Sequence, residues 1–193
     1  MPPQPPAPSR LSIEVGDPQS RLSGPDRRRL AAIAGRVLAA ERVDRAEVSI
    51  AVVDDPTIHR VNRRHLGHDA PTDVISFPLS EPGDGRLAGE LIVSAETAAR
   101  MAGADGHDPF TELTLYVIHG LLHLCGRDDL TESGAASMRR REGELLAAEG
   151  LSHPFSPDPG RPGTGTAAWS EARDDATAAR PVGLGRERPP CRA

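Results

Sequence analysis

Asp108-Pro109-Phe110-Thr111-Glu112-Leu113-Thr114-Leu115-Tyr116-Val117-Ile118-His119-Gly120-Leu121-Leu122-His123-Leu124-Cys125-Gly126 is the stretch on which the fold of this chain turns. Asp108 followed by Pro109 reads as an N-cap with proline at the first helical position. Phe110, Leu113, Thr114, Val117, Ile118, Leu121 and Leu122 then make the helix apolar over most of its surface. A helix without a broad polar face has to be buried, so this one should lie at the centre of the domain. Gly126 can take the left-handed conformation that ends it.

A central helix needs a layer to bury against, and the flanking sequence provides one. Leu11-Ser12-Ile13-Glu14-Val15 alternates apolar and polar, the period of a strand. Ser23-Gly24-Pro25-Asp26 resembles a helix start, and Leu30, Ile33, Val37 and Leu38 continue at helical spacing, predicting a helix over 26–43. The apolar, β-branched run 47–53 predicts a second strand. Asp55-Pro56 begins another helix, carrying Ile58, Val61, Asn62 and His65. Residues 67–71 read as a loop, Val74-Ile75-Ser76-Phe77 as a strand stopped by Pro78, and 82–85 as a turn. A fourth strand follows over 89–94 and a short helix over 95–101. Thr131 should cap a last helix running to about Glu149, with Met138, Leu145 and Leu146 inward. The order predicts an α+β fold: a single domain with about four strands in a mostly parallel mixed sheet, packed with about five helices.

The ends differ from the middle. Residues 1–9 are rich in proline, and 154–193 are dominated by Pro, Gly, Ala, Thr and charged residues. Such segments bury too little apolar surface to offset their ordering entropy. We expect both to be disordered, with the folded domain over 10–153. The formal net charge of the 193-residue chain is −5; six arginines and five carboxylates make 154–193 +1, which leaves −6 on the remainder. A globally basic nucleic-acid binder is thereby excluded, and any contact with nucleic acid must come from a local basic patch. All 23 basic residues are arginine, a bias we attribute to genome composition. The two cysteines, Cys125 and Cys191, form no disulfide framework. There is no long apolar segment and no signal-peptide pattern. The expected setting is cytoplasmic, with no membrane contact.

His119 and His123 are four residues apart on the buried helix. Positions i and i+4 share a face, with Cβ atoms roughly 5–6 Å apart, close enough for both imidazoles to hold one metal ion. A turn at Gly126 can bring Asp128 or Asp129 back as a third ligand. Two histidines and a carboxylate leave an open coordination position, as a catalytic zinc requires. Burying two imidazoles without partners would cost free energy. The metal site therefore belongs at the end of the central helix. Zinc peptidases of the His-Glu-x-x-His type place their general base right after the first histidine. Gly120 occupies that position here, so their mechanism is excluded. A glycine there should let another chain or a substrate approach closely.

At these residues the sequence resembles the YbeY family of bacterial rRNA-maturation endoribonucleases. The family signature is His-Gly-x-Leu-His-Leu-x-Gly-Tyr-Asp-His, with its three histidines as zinc ligands. The chain matches at His119, Gly120, Leu122, His123, Leu124, Gly126 and Asp128. Two further blocks are similar: Asn62 together with Asp69-Ala70-Pro71-Thr72-Asp73-Val74-Ile75-Ser76-Phe77-Pro78, and Gly89-Glu90-Leu91-Ile92-Val93-Ser94. The resemblance implies one Zn²⁺ per chain on His119, His123 and Asp129, with Asp129 in place of the last histidine. A carboxylate there lowers the net charge of the site, so zinc should acidify water less strongly. Arg127 stands where the family usually has tyrosine, with phosphate contact as its one conceivable role. Leu66 stands where the family usually has an arginine proposed to be catalytic, and it cannot donate to phosphate.

The implied function is a metal-dependent cut in single-stranded rRNA, in maturation of the small-subunit rRNA 3′ end and in ribosome quality control. The implied partners are rRNA and the small ribosomal subunit; DNA is not expected. Arg60, Arg63 and Arg64 are candidate RNA contacts. Asp128 should either orient a ligand or cap the next helix. Thr72, Asp73 and Ser76 should make turn hydrogen bonds, and Cys125 should pack as a small hydrophobe. His59, His65, His68, His107 and His153 read as surface histidines. Two alternatives stand beside this reading. One is a non-catalytic ribosome assembly factor with a structural zinc, consistent with Leu66. The other is a metallohydrolase of a non-RNA substrate, consistent with the few aromatic side chains available to stack bases.

Overall fold

A computed structural model of the chain describes residues 10–81 and 84–152. The expectations of disorder for 1–9 and 154–193, His153, and Pro82-Gly83 of the expected turn lie outside the described residues. The elements run β1 (Arg10–Gly16), α1 (Gly24–Ala40), β2 (Arg45–Val53), α2 (Asp55–Leu66), β3 (Val74–Pro78), β4 (Leu87–Ser94), α3 (Ala95–Asp105), α4 (Pro109–Leu124) and α5 (Glu132–Ala148). The sheet order is β1-β2-β4-β3. β1 pairs with β2 and β2 with β4 in parallel, while β3 pairs with β4 antiparallel. The fold is α+β with a mixed sheet, as the order of elements predicts.

Strand alternation distributes the sheet's side chains between two layers. Val48, Ile50 and Val52 of β2, with Leu91 and Val93 of β4, face the larger core, which α1, α4 and α5 complete through Leu30, Ile33, Leu38, Ile118, Leu121, Leu122 and Leu146. The opposite side of the same strands, with Val53 of β2 and Ile75 of β3, packs on Ile58 of α2 in a smaller core. In α4, every residue from Thr111 to Leu122 is buried. The helix lies between the sheet on one side and α1, α3 and α5 on others, which is why its sequence lacks a polar face.

Caps follow the local chemistry. Ser23 accepts from the Asp26 amide at the start of α1, and Thr131 from the Gly134 amide at the start of α5. Helix α1 ends at Ala40, three residues short of the expected boundary. Arg42 takes φ +60°, and the Val43 amide bonds the Leu38 carbonyl at 2.9 Å. This is a left-handed cap built without glycine, at a steric cost of roughly 1–2 kcal/mol, so no glycine marks it in the sequence.

Gly120 requires a correction. What lies against it is the sheet of its own domain, which takes the room expected for another chain or a substrate. A Cβ placed there would lie 2.8 Å from Leu91 Cδ2, 3.0 Å from Ser76 Oγ and 3.1 Å from Val74 Cγ2. The missing side chain lets α4 sit close on β3 and β4. Gly120→Ala should therefore destabilise the fold by about 1–3 kcal/mol through overpacking, measurable as a lower denaturation midpoint. A variant as stable as the wild type would contradict the close packing.

Candidate metal centre

The end of α4 is a Schellman turn. The Gly126 amide bonds the His123 carbonyl at 2.9 Å, and the Arg127 amide bonds the Leu122 carbonyl at 3.0 Å. Gly126 adopts φ +86°, the left-handed conformation expected of it. The turn reverses the chain so that the Arg127 carbonyl oxygen comes within 3.0 Å of His123 Nδ1. Two residues later Asp129 points back at the helix. One turn therefore ends the helix, orients one imidazole and returns a carboxylate.

His119 Nε2 and His123 Nε2 are 2.9 Å apart. Asp129 Oδ2 is 3.9 Å from His119 Nε2, and Asp129 Oδ1 is 3.7 Å from His123 Nε2. His119 is buried, whereas His123 and Asp129 are partly open to solvent. His119 Nδ1 lies 2.6 Å from Glu142 Oε1, with the Glu142 side chain 1% exposed. An ionised carboxylate and a carbonyl only accept, so each Nδ1 must be the donor. With Nδ1 engaged in each ring, Nε2 is the nitrogen turned toward the other two groups. Two such nitrogens and a carboxylate oxygen converge, a set of groups suited to a positive ion. Ligand atoms about 2.0–2.2 Å from one tetrahedral ion stand roughly 3.3–3.6 Å apart; the two nitrogens are closer, at 2.9 Å, and the carboxylate oxygens farther, at 3.7 and 3.9 Å. The three residues could hold a metal ion.

Glu142 is the residue that sequence reading missed. Met138, Glu142, Leu145 and Leu146 together form the buried face of α5. A carboxylate at helical spacing among apolar residues needs a buried partner, and that spacing is visible in the sequence. The partner itself, 23 positions back, is not. Glu142→Gln should weaken metal binding by roughly 10- to 100-fold, as loss of an orienting carboxylate typically does, with zinc affinity as the measurement; unchanged affinity would rule out that orienting role.

Other expectations fall variously. Asp128 lies apart from the converging atoms. Its Oδ1 accepts from the Leu130 amide at 3.3 Å, and the cap of α5 is Thr131. Arg127 is partly exposed, and its Nε donates to Glu41 Oε2 at 2.8 Å. Burial would raise the Glu41 carboxyl, but hydrogen bonds from Arg127 and Arg141 outweigh it and hold the group below its ordinary range. Thr72 Oγ1 and the Val74 amide both bond Asp73 Oδ1, and Ser76 Oγ is 3.4 Å from the Gly120 carbonyl. The first two are the turn bonds anticipated; the Ser76 contact instead ties β3 to α4. Cys125 packs against the larger core, and burial, then the nearby Glu41 charge, push its thiol up to about 11. It behaves as a neutral hydrophobe.

Arg60, Arg63 and Arg64 are exposed on α2. Arg60 Nη2 donates to Thr57 Oγ1 at 2.9 Å, and Arg63 stands 3.9 Å from Asp69. Leu66 packs in the smaller core with Val53, Ile58 and Ile75. His59 pairs with Asp69 at 2.9 Å, and His65 lies edge-on to Phe77. His107 is no surface histidine. It is largely buried, with Nε2 2.7 Å from the buried Glu112 carboxylate.

Comparison with known proteins matches this arrangement to a family. The family model of endoribonuclease YbeY matches residues 19–150. Endoribonuclease YbeY of Anaeromyxobacter sp. strain Fw109-5 is 46% identical over 143 residues, covering 74% of this chain and 72% of that protein. Endoribonuclease YbeY of Moorella thermoacetica is 46% identical, over 58% of this chain and 80% of its own length. That of Bacillus subtilis is 40% identical over the same shares. The solution structure of TM1509 from Thermotoga maritima shares the fold, with a TM-score of 0.53 at 23% identity, covering 78% of this chain and 99% of that one. With the family model spanning α1 to α5, including α4 and the turn that returns Asp129, the chain belongs to the YbeY family of endoribonucleases, enzymes that cleave RNA.

Proposed function

We propose that this endoribonuclease is zinc-dependent and cuts single-stranded rRNA, acting in 3′-end maturation of the small-subunit rRNA and in ribosome quality control. The observation that carries the metal dependence is the convergence of His119 Nε2, His123 Nε2 and the Asp129 carboxylate beside a partly open face. Nitrogen and carboxylate ligands suit zinc, and three of them leave a position for chemistry. When bound, zinc supplies Lewis acidity toward water or a phosphate oxygen. The chain's own residues orient and balance charge. Glu142 and the Arg127 carbonyl keep both Nε2 atoms turned inward, and Asp129 lowers the positive charge of the site. Arg60, Arg63 and Arg64 supply a local positive field for an RNA backbone in a chain that is otherwise acidic. The proposed partners are rRNA and the small ribosomal subunit in the cytoplasm. No helix among the described residues is long and apolar enough to cross a membrane.

Leu66 favours a second reading, an assembly factor with weak or no catalysis and a structural zinc. Its side chain is committed to packing and offers phosphate no hydrogen bond. Cleavage of single-stranded RNA by purified protein, with zinc content measured on the same sample, separates the two. A zinc-loaded protein that leaves RNA intact supports the assembly role; a protein with no zinc refutes both.

A further inference from the structure

One carboxylate at the end of α1 connects to both sides of the metal-binding turn. The Glu41 side chain is 7% exposed, and it accepts from Arg127 Nε at 2.8 Å and from Arg141 Nε at 2.7 Å. Arg141 Nη2 also reaches the Ala40 carbonyl at 3.3 Å, closing the end of α1 onto α5. Arg127 is thus held twice, by its amide on the Leu122 carbonyl and by its guanidinium on Glu41. The two restraints do different things. The amide bond fixes the peptide plane before Arg127. The carbonyl that meets His123 Nδ1 lies in the plane after it, across the soft ψ torsion of Arg127. Anchoring the side chain holds the Cα between those planes in place, so that the carbonyl swings about a fixed point within reach of His123 Nδ1.

We propose that Glu41 is a positioning residue for the metal centre, holding Arg127 so that its carbonyl keeps Nε2 of His123 turned toward His119 and Asp129. This rests on the metal-site reading above. Glu41 is 82 positions from His123 and touches none of the converging atoms. Its effect passes through one ion pair and one main-chain hydrogen bond. A neutral glutamine at 41 keeps the shape but leaves two guanidinium groups without their shared anion. Arg127 then gains by turning to solvent, and the carbonyl loses its restraint.

The test is zinc affinity, by chelator competition, of full-length wild type, Glu41→Gln, Arg127→Gln and the double variant. Arg36→Gln serves as control, because it removes another α1 ion pair, Arg36 to Glu149 at 2.6 Å, remote from the turn. Both single variants should lose about tenfold in affinity, and the double variant no more than the worse single, because both act through one link. The His123 Nδ1–H proton resonance should broaden in both, and Arg36→Gln should bind zinc as the wild type does. Folded Glu41→Gln or Arg127→Gln protein that binds zinc within twofold of the wild type, losing thermal stability alone, would overturn the proposal. So would losses that multiply to about a hundredfold in the double variant. Should Glu41→Gln fail to fold, Arg127→Gln decides, since it keeps the pair of Glu41 with Arg141. A wild type that binds no zinc would instead overturn the metal-site reading itself.

Discussion

His123→Ala should strip the protein of its metal and abolish RNA cleavage. The side chain contributes one of three converging donors, and the two that remain, His119 Nε2 and an Asp129 oxygen 3.9 Å apart, leave the ion held on one side only. Loss of an orienting partner costs roughly 10- to 100-fold in affinity or activity, and loss of a donor itself should exceed that. Structural damage should be small, because His123 is partly exposed and the Schellman bonds that end α4 use its backbone, not its ring. The measurement is zinc content together with cleavage of a single-stranded RNA, wild type beside variant. Equal cleavage by both would mean that the observed activity comes from a contaminating nuclease. Zinc retained at wild-type stoichiometry would remove His123 from the site.

The second large effect lies at the other end of the same helix, away from the chemistry. His107→Ala should destabilise the domain by about 3–5 kcal/mol, the cost of leaving a buried charge without its partner. Glu112 is 1% exposed, and His107 Nε2 at 2.7 Å is its side-chain hydrogen-bond partner among the described residues. Its place in the first turn of α4 favours a carboxylate through the helix dipole, but by no more than about 2 kcal/mol. Thermal unfolding should fall by roughly 10 °C, at about 2–4 °C per kcal/mol for chains of 150–250 residues. Adding Glu112→Gln should recover part of the loss, because removing both members of a buried pair costs less than stranding one. A midpoint within 2 °C of wild type in His107→Ala, a threshold set well below the expected shift of roughly 10 °C, would refute the argument.

These two histidines show what was legible beforehand. His123 could be read as a candidate ligand because its partner His119 is one helical turn away, and a helix makes that neighbour certain. His107 passed for a surface residue although Glu112 is only five positions on, at the spacing where residues flanking a helix start meet; what the sequence does not show is that Glu112 turns into the core. The same division runs through the site. The glycine stop after Leu124 and the return of a carboxylate were readable from Gly126, Asp128 and Asp129. The choice between the two aspartates came from likeness to a family motif, and the distances agree with it. Glu142 and Glu41 were not read at all, because their partners stand 23 and 86 positions away. Gly120 was read as room for a visitor, when the sheet occupies that room.

By itself the amino-acid sequence determined what lies within a turn or a strand pairing. It specified the buried central helix, the shared face of His119 and His123, the left-handed stop at Gly126, and the alternation that sends β2 and β4 side chains to two cores. Local backbone geometry sets those relations wherever the element forms. Only the tertiary structure decided which side chains complete the site: Glu142 from α5 on His119, Glu41 from α1 on Arg127, and β3 and β4 against Gly120. Contacts between distant segments depend on how helices and sheet pack against one another, and packing is a property of the whole core rather than of any stretch of it.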